Sequence, residues 1–352
     1  MKRIRVGVIG QGRSGHDIHV AAFKSMPGRF KVVAVADPLE GRCDDAIGAT
    51  GCTGYKDHKD MLKRKDLDLV VNSTPSHLHV PVTLEILDAG FNVLTEKPLA
   101  RHAADVDAII AKAKKAGKLF AIYQQSRFAP YFQQVRKVID SGVLGRIVMA
   151  RIAFNGFGRR WDWQTIQDYS AGNLLNTGPH PLDQALQIFG TDAMPQVTCI
   201  MDRANTFGDA EDFVKLILRG EGRPAIDLEI SSCCAYPTHT YHVDGTLGGL
   251  RGNTTHLDWK YYKPEEAPEQ HLIREPLPGR AYCRENLKMY EKSWDVPKSK
   301  KNLFGSMSYA FYKNLYEALT TGAPLAIKPE EVRQQIAVVE EAHRQNPLSK
   351  MK

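Results

Sequence analysis

Two short stretches of this 352-residue chain carry side chains suited to moving a proton at a secondary alcohol. The first is Thr95-Glu96-Lys97-Pro98. Its Lys97 ammonium is a compact point donor that can hold a substrate hydroxyl and stabilise alkoxide character as hydride departs. The second runs from Gly172 to Asp183 and contains Asn176, Gly178 and His180. His180 belongs to the residue type that titrates near neutral pH and can take the hydroxyl proton. Pro181 and Asp183 mark the first turn of a helix there. Taken alone, Lys97 reads equally well as a solvated surface lysine, His180 as a packing or capping histidine, and Asp183 as a helix N-terminal acid.

Hydride chemistry needs an acceptor, and Gly10-Gln11-Gly12-Arg13-Ser14-Gly15 supplies a place for one. This G-x-G-x-x-G follows the apolar run Ile4–Ile9 and precedes a helical pattern, the context of a dinucleotide-binding turn. Gly10 permits the tight turn, Gly12 lets backbone amides approach a pyrophosphate, and Gly15 lets the helix pack on the strand. Asp37 lies 22 residues beyond Gly15, at the end of the second candidate strand. A carboxylate there accepts from the adenosine ribose hydroxyls and repels a 2′-phosphate, which favours NAD. Arg42 can reach a 2′-phosphate and keeps NADP open.

The elements that position these groups fall into two patterns. From Lys2 to about Tyr123, short β-branched runs at Ile4–Ile9, Lys31–Ala36, Asp68–Asn72, Asn92–Leu94 and Leu119–Tyr123 alternate with helical segments at Ser14–Ser25, Val80–Ala89 and Ala103–Ala116. The expected fold is α/β, an N-terminal Rossmann doubly wound sheet in residues 1–123. After a helix at Tyr131–Ser141, strand-like runs follow at Ile147–Phe154, Gln196–Met201, Phe213–Leu218, Ala225–Ser231 and Tyr241–Val243. They predict a second, α+β domain over 124–352 with a large, mostly antiparallel open sheet. Residues 262–301 contain five prolines and read as a surface excursion, with helices returning at Tyr309–Thr320 and Glu330–Arg344.

Composition narrows the function classes. Hydrophobic residues at 43% and charged residues at 25% describe a folded chain rather than a disordered one. The net charge of +7 makes an anionic dinucleotide the first partner to consider. The basic runs Lys112–Lys115 and Lys298–Lys301 read as solvated faces, so nucleic acid is not expected as a partner. Six cysteines without a C-x-x-C pair argue against a metal site and for a reducing compartment. Val6–Ile9 is too short for a signal sequence and no apolar stretch is long enough for a membrane span. The expected setting is therefore cytoplasmic.

The motifs at Gly10–Gly15, Thr74-Pro75 with His79, Glu96-Lys97-Pro98, and Gly178-x-His180-x-x-Asp183 together resemble the Gfo/Idh/MocA oxidoreductases over nearly the whole chain. The resemblance implies bound NAD(P), oxidation or reduction of one hydroxyl of a sugar, inositol or related polyol, and a homodimer or homotetramer formed through the C-terminal sheet. It adds Ser73, Thr74, Pro75, His79, Glu96 and Lys97 to the cofactor set of the glycine motif, Asp37 and Arg42. Around the substrate it implies Lys97, Arg127, Trp163, Asn176 and His180, with Trp161 a further aromatic candidate and Tyr236, His239 and Tyr282 weaker ones. The usual Lys, Asp and His constellation maps onto Lys97, Asn176 and His180. Asn176 offers only a neutral amide where a carboxylate would stabilise the imidazolium, so His180 is expected to be a weaker base. Asn173, where many relatives carry Gly, is a second departure. Two alternatives stand beside the dehydrogenase: an enzyme that retains NAD for transient 3-keto sugar formation, and a non-catalytic NAD-binding sensor.

Overall fold

The computed structural model describes residues 2–280 and 282–351. Six strands, β1 (Ile4–Ile9), β2 (Phe30–Ala36), β3 (Thr53–Tyr55), β4 (Leu69–Asn72), β5 (Asn92–Thr95) and β6 (Phe120–Ile122), form a parallel sheet in the order β3-β2-β1-β4-β5-β6. The order reverses at β1 and β4, so the loops after these two strands flank the crevice where such sheets bind ligands. Helices cover both faces, and the inner strands are apolar and fully buried, as Val6, Val8, Val70 and Val71 illustrate. The strand β3 and the helices Asp44–Thr50 and His58–Met61 were not anticipated. They are short, and three residues such as Thr53-Gly54-Tyr55 carry no readable alternation.

The second sheet has eight strands: β7 (Ile147–Asn155), β8 (Gln196–Asp202), β9 (Phe213–Arg219), β10 (Ala225–Ser231), β11 (Tyr241–Gly245), β12 (Gly248–Gly252), β13 (His256–Tyr261) and β14 (Tyr290–Asp295). Its order is β14-β13-β12-β11-β7-β10-β9-β8, antiparallel except where β7 meets β10. One face packs Ala150, Ile152, Leu216, Leu228 and Val243 against the helices Pro130–Asp140 and Pro179–Phe189. The other face is open and charged, with Lys215 and Arg151 both paired to Asp227. The expected excursion over 262–301 contains β14, which pairs with β13 and extends the sheet edge. The glycine-rich β12 and this edge strand lack the alternation that marks the inner strands.

Chain order and spatial order part company at the C-terminus. The helix Leu303–Thr321, assigned by position to the second unit, buries Phe311, Tyr312, Leu315 and Tyr316 in the core of the first. Those four share one helical face; Tyr312 and Tyr316 meet Phe30, and the Tyr312 ring lies 4.8 Å from that of Phe23. The following helix, Pro329–Gln345, contributes Val332 and Ile336 to the first core and Val338, Val339 and Ala342 to the second. It ties the two units across the crevice. Among the described residues no helix is long and apolar enough to cross a membrane.

Candidate active site

The glycine turn after β1 has the shape of a dinucleotide cradle. Gly10 has φ +83°, and a Cβ there would stand 2.4 Å from the Ser73 carbonyl oxygen. A Cβ on Gly15 would stand 1.7 Å from the Gly10 carbonyl oxygen, so the helix beginning at Ser14 approaches as closely as only glycine allows. Over Gly12 the space is open, and a Cβ would meet only the Arg42 guanidinium at 3.8 Å. Buried Asp37 accepts the Gln11 amide at 2.8 Å and the Leu39 amide at 2.9 Å, with Arg42 3.6 Å away. Arg13 and Ser14 stand at the start of the helix, Arg13 exposed, where backbone N–H groups favour an anion. These residues fit an NAD pyrophosphate and ribose.

The turn after β5 is held from behind. Buried Glu96 receives the Lys97 amide at 3.0 Å and faces His19 Nε2 at 3.2 Å, while His19 Nδ1 meets the Tyr312 hydroxyl. Burial opposes the Glu96 charge, but His19, Lys97 and His79 outweigh it and draw its pKa down to about 2. His79 bridges the Pro98 carbonyl at 2.6 Å and the Thr74 carbonyl at 2.9 Å, and the Lys97–Pro98 peptide is cis. Lys97 extends across the crevice and its Nζ donates to the Asn176 main-chain carbonyl at 3.0 Å. Burial lowers the Lys97 pKa; Glu96 opposes this, and Arg13 and Arg160 add to it.

Opposite Lys97 lies the turn that launches the Pro179–Phe189 helix. His180 Nδ1 lies 3.1 Å from the Ser126 hydroxyl. Burial first, and then the Lys97 ammonium, push the His180 pKa to about 3 against the pull of Glu96. His180 is therefore neutral at physiological pH and a weak base, in line with the absence of a carboxylate at position 176. Thr177 and Gly178 keep right-handed helical backbone, so Asn176 and His180, four residues apart, share a face. The Asn176 side chain has no hydrogen-bond partner among the described residues; its carbonyl, not its amide, meets Lys97. Glu211 holds this turn by receiving the Leu174 amide at 3.0 Å, close enough to Gly172 that a Cβ there would stand 2.3 Å from its carboxylate. The departure at Asn173 also has a physical role: its amide donates to the Asp212 carbonyl at 2.7 Å and the Ser232 hydroxyl at 2.9 Å.

Beside the turn opens a cavity of about 460 Å³ lined by Asn155, Thr177, Ser231, Ser232, Thr240 and Phe157 among others, with no charged side chain in its wall. Its size matches small-molecule sites. Trp163 stands at the neighbouring loop, 6.2 Å from the Tyr169 ring, which in turn meets His77 on the Rossmann side at 4.9 Å. Tyr236, His239 and Tyr282 are exposed.

Several expected site residues turn out to be supports. Arg127, read as a substrate contact, is buried and directs its guanidinium to Asp183, Glu331 and the Ala326 carbonyl. Burial disfavours its charge, but Asp183 and Glu331 outweigh that cost. Asp183 is correspondingly an ion-pair partner rather than a helix N-terminal acid. Glu96 and His79, expected at the cofactor, are buried behind the crevice and spend their polar atoms on protein partners. The Ser73 hydroxyl likewise donates to the Ile9 carbonyl at 2.7 Å, while Thr74 and Pro75 stay at the half-open loop edge. His19, Tyr312, Ser126 and Glu211 were missed. Only Ser126 had a signal, as the neighbour of Arg127, since His19 and Tyr312 are 293 residues apart.

An inositol 2-dehydrogenase of Salmonella typhimurium is 30% identical over 51% of this chain and 53% of its own length. A 2,7-anhydro-N-acetylneuraminate hydratase of Mediterraneibacter gnavus is 26% identical over 71% of this chain and 67% of its own. The WlbA dehydrogenase of Bordetella pertussis, solved with NADH and UDP-GlcNAcA, superposes with a TM-score of 0.79 at 21% identity over 100% of this chain and 99% of its own, a likeness of fold. Residues 4–124 match the oxidoreductase family with an NAD-binding Rossmann fold, and residues 132–251 match the GFO/IDH/MocA C-terminal domain. With both domains matched and the cradle fitted to NAD, the chain belongs to the GFO/IDH/MocA family of NAD-binding oxidoreductases.

Proposed function

We propose that the protein transfers hydride between NAD and a secondary hydroxyl of a sugar, inositol or glycoside, with Lys97 and His180 at the reacting oxygen. The observation that carries this reading is the approach of Lys97 Nζ to the Asn176 carbonyl beside a neutral His180, at the crevice edge below the glycine cradle. Bound NAD supplies the acceptor for the hydride. Lys97 holds the substrate oxygen and steadies its developing negative charge, while neutral His180 takes the hydroxyl proton. Ser126 orients the imidazole from behind. The inositol dehydrogenase and hydratase relatives support a polyhydroxylated substrate. Assembly into a homodimer or homotetramer over the open sheet face is part of the same proposal.

The hydratase relative favours a second reading, in which NAD stays bound and oxidation is transient. A panel of sugars, inositols and glycosides assayed with NAD and NADP, with Lys97→Ala as the blank, tests both. Substrate-dependent NADH accumulation absent from the blank supports the dehydrogenase. Conversion of substrate without NADH accumulation supports the transient cycle. Equal signal from Lys97→Ala removes the proposed chemistry.

A further inference from the structure

We infer that the protein carries a second small-molecule site, for a phosphate monoester borne on a flat apolar ring, in the cavity between the Gln125–Phe128 turn and the start of the Leu303–Thr321 helix. Neither Lys97, His180 nor any residue of the glycine cradle lines this cavity, and the inference does not depend on the proposed reaction.

The first observation is the division of the cavity into two kinds of wall. Its volume of about 600 Å³ is that of a small-ligand site. One wall is aromatic, formed by Phe128 and Tyr309, and the Phe128 ring is backed by Phe311 of the first core at 6.5 Å. The other wall presents the Lys300 and Lys313 ammonium groups with the Ser299 and Ser306 hydroxyls, and no carboxylate lines the cavity. Among the described residues the Lys300 ammonium has no ion-pair partner, and Lys313 meets only Glu317 at 3.5 Å, an exposed pair of little strength. The 740 Å³ cavity on the open sheet face is different: there Arg251, Lys260 and Lys292 share the wall with Asp244, Asp258 and Glu291, so its cations have counter-charges within the same wall.

The second observation is the sign of the local field. The Arg29 guanidinium donates to the Tyr309 hydroxyl at 3.3 Å and lies 5.8 Å from its ring centre. Arg29 first, and Lys313 with it, hold the Tyr309 pKa below the usual phenol value. Two cations thus bear on one tyrosine of the wall, and Lys300 adds a third charge. The helix end is not itself the donor, because the Asn302 side chain already receives the Gly305 amide at 2.9 Å. A ligand must therefore be held by side chains. A phosphate monoester brings close to two negative charges and three acceptor oxygens to the ammonium and hydroxyl wall, where a carboxylate brings one charge and two oxygens. Its ring then lies against Phe128 and Tyr309. The basic run Lys298–Lys301 accordingly places one of its lysines in a cavity wall rather than only on a solvated face.

Calorimetric titration of the NAD-saturated protein at low salt tests this with phenyl phosphate, inorganic phosphate and benzoate. Phenyl phosphate is expected to bind one to one, about ten-fold tighter than inorganic phosphate, which lacks the ring, and about ten-fold tighter than benzoate, which carries a single charge. The double variant Lys300→Ala/Lys313→Ala is expected to weaken phenyl phosphate by about ten-fold or more. Lys114→Ala/Lys115→Ala, which removes the same charge from another helix, is expected to leave it unchanged. Tyr309→Ala is expected to abolish most of the preference for phenyl phosphate over inorganic phosphate, and Tyr309→Phe, which keeps the ring, to retain it. Undiminished binding in Lys300→Ala/Lys313→Ala, an equal loss in the two lysine pairs, benzoate bound as tightly as phenyl phosphate, or no saturable binding at all overturns the inference.

Discussion

The turn around Lys97 and the loop from Gly156 to Ser170 face each other across one crevice and are built in opposite ways. Behind Lys97, Glu96 and His79 are 3% and 2% exposed, and each polar group faces a named partner in the neighbouring loops or the first helix. Across the gap, Phe157 and Trp161 stand mostly in water on short turns. Rigid support suits a group that must meet a transition state within a fraction of an ångström, whereas an exposed loop can change its reading of substrate without disturbing the fold. In the proposed reaction the first wall anchors the chemistry and the second reads the substrate.

The sharpest break of that contrast is Lys97→Ala. Loss of a positioned donor at the reacting oxygen is expected to lower kcat by about 10³-fold with the fold intact, read by NADH formation and circular dichroism. Trp163→Ala, on the opposite wall, is expected to raise KM more than it lowers kcat. An equal loss of kcat from both variants would erase the division of labour.

Next in size is Arg127→Ala, which tests whether this residue supports rather than binds. Removal leaves the buried Asp183 carboxylate and the partly buried one of Glu331 without their cation, a loss of about 3 kcal/mol in urea unfolding. A stable variant with a raised KM would return Arg127 to the substrate. Smaller again is Glu211→Gln, which weakens the grip on the Leu174 amide. A stability loss of about 1 kcal/mol is expected, together with a lower kcat, because the His180 turn loosens.

The cofactor half of the site is readable from sequence because its parts are contiguous. Gly10 to Gly15 and Asp37 lie on consecutive elements, and local turn geometry dictates which residue each position accepts. The supports are different in kind. Glu96, His19 and Tyr312 converge from β5, the first helix and the C-terminal helix, and no spacing rule connects them. Arg127 and Asp183 both stand out in the sequence, but that one satisfies the other depends on how the Gln125–Phe128 turn packs on the Pro179–Phe189 helix. The helix Leu303–Thr321 is recognisable as amphipathic, yet the core that its buried face chooses is a matter of tertiary packing.

Acid titration probes the two walls together. His180 has a folded pKa of about 3, below the ordinary histidine value near 6.5, so between those limits the unfolded chain binds the proton more readily. Its contribution to stability is present above about pH 6.5 and is lost as pH falls toward 3. Glu96, lowered to about 2, adds a second loss that begins below about pH 4.5. His180→Gln is therefore expected to flatten the stability profile between pH 6.5 and 4.5 and to make the fall from 4.5 to 3 shallower, leaving the loss due to Glu96. An identical profile would show that His180 is not held neutral.

The finest test concerns Asn176, whose side chain shares a helical face with His180 but leaves it without a carboxylate. In Asn176→Asp a negative charge about one helical turn away favours the imidazolium and raises the His180 pKa, by about one unit or more if the groups come within 4–6 Å. The acid limb of kcat/KM, which lies near the His180 pKa of about 3, should then move up by a similar amount while the base stays neutral near pH 7. The Lys97 contact should persist, since it uses the Asn176 main-chain carbonyl and not the side chain. The shift should therefore appear with little change in the pH-independent rate. An unmoved acid limb would mean that the Ser126 hydroxyl and burial alone set the basicity of His180. A collapse of the plateau rate would mean instead that the neutral amide itself holds the substrate.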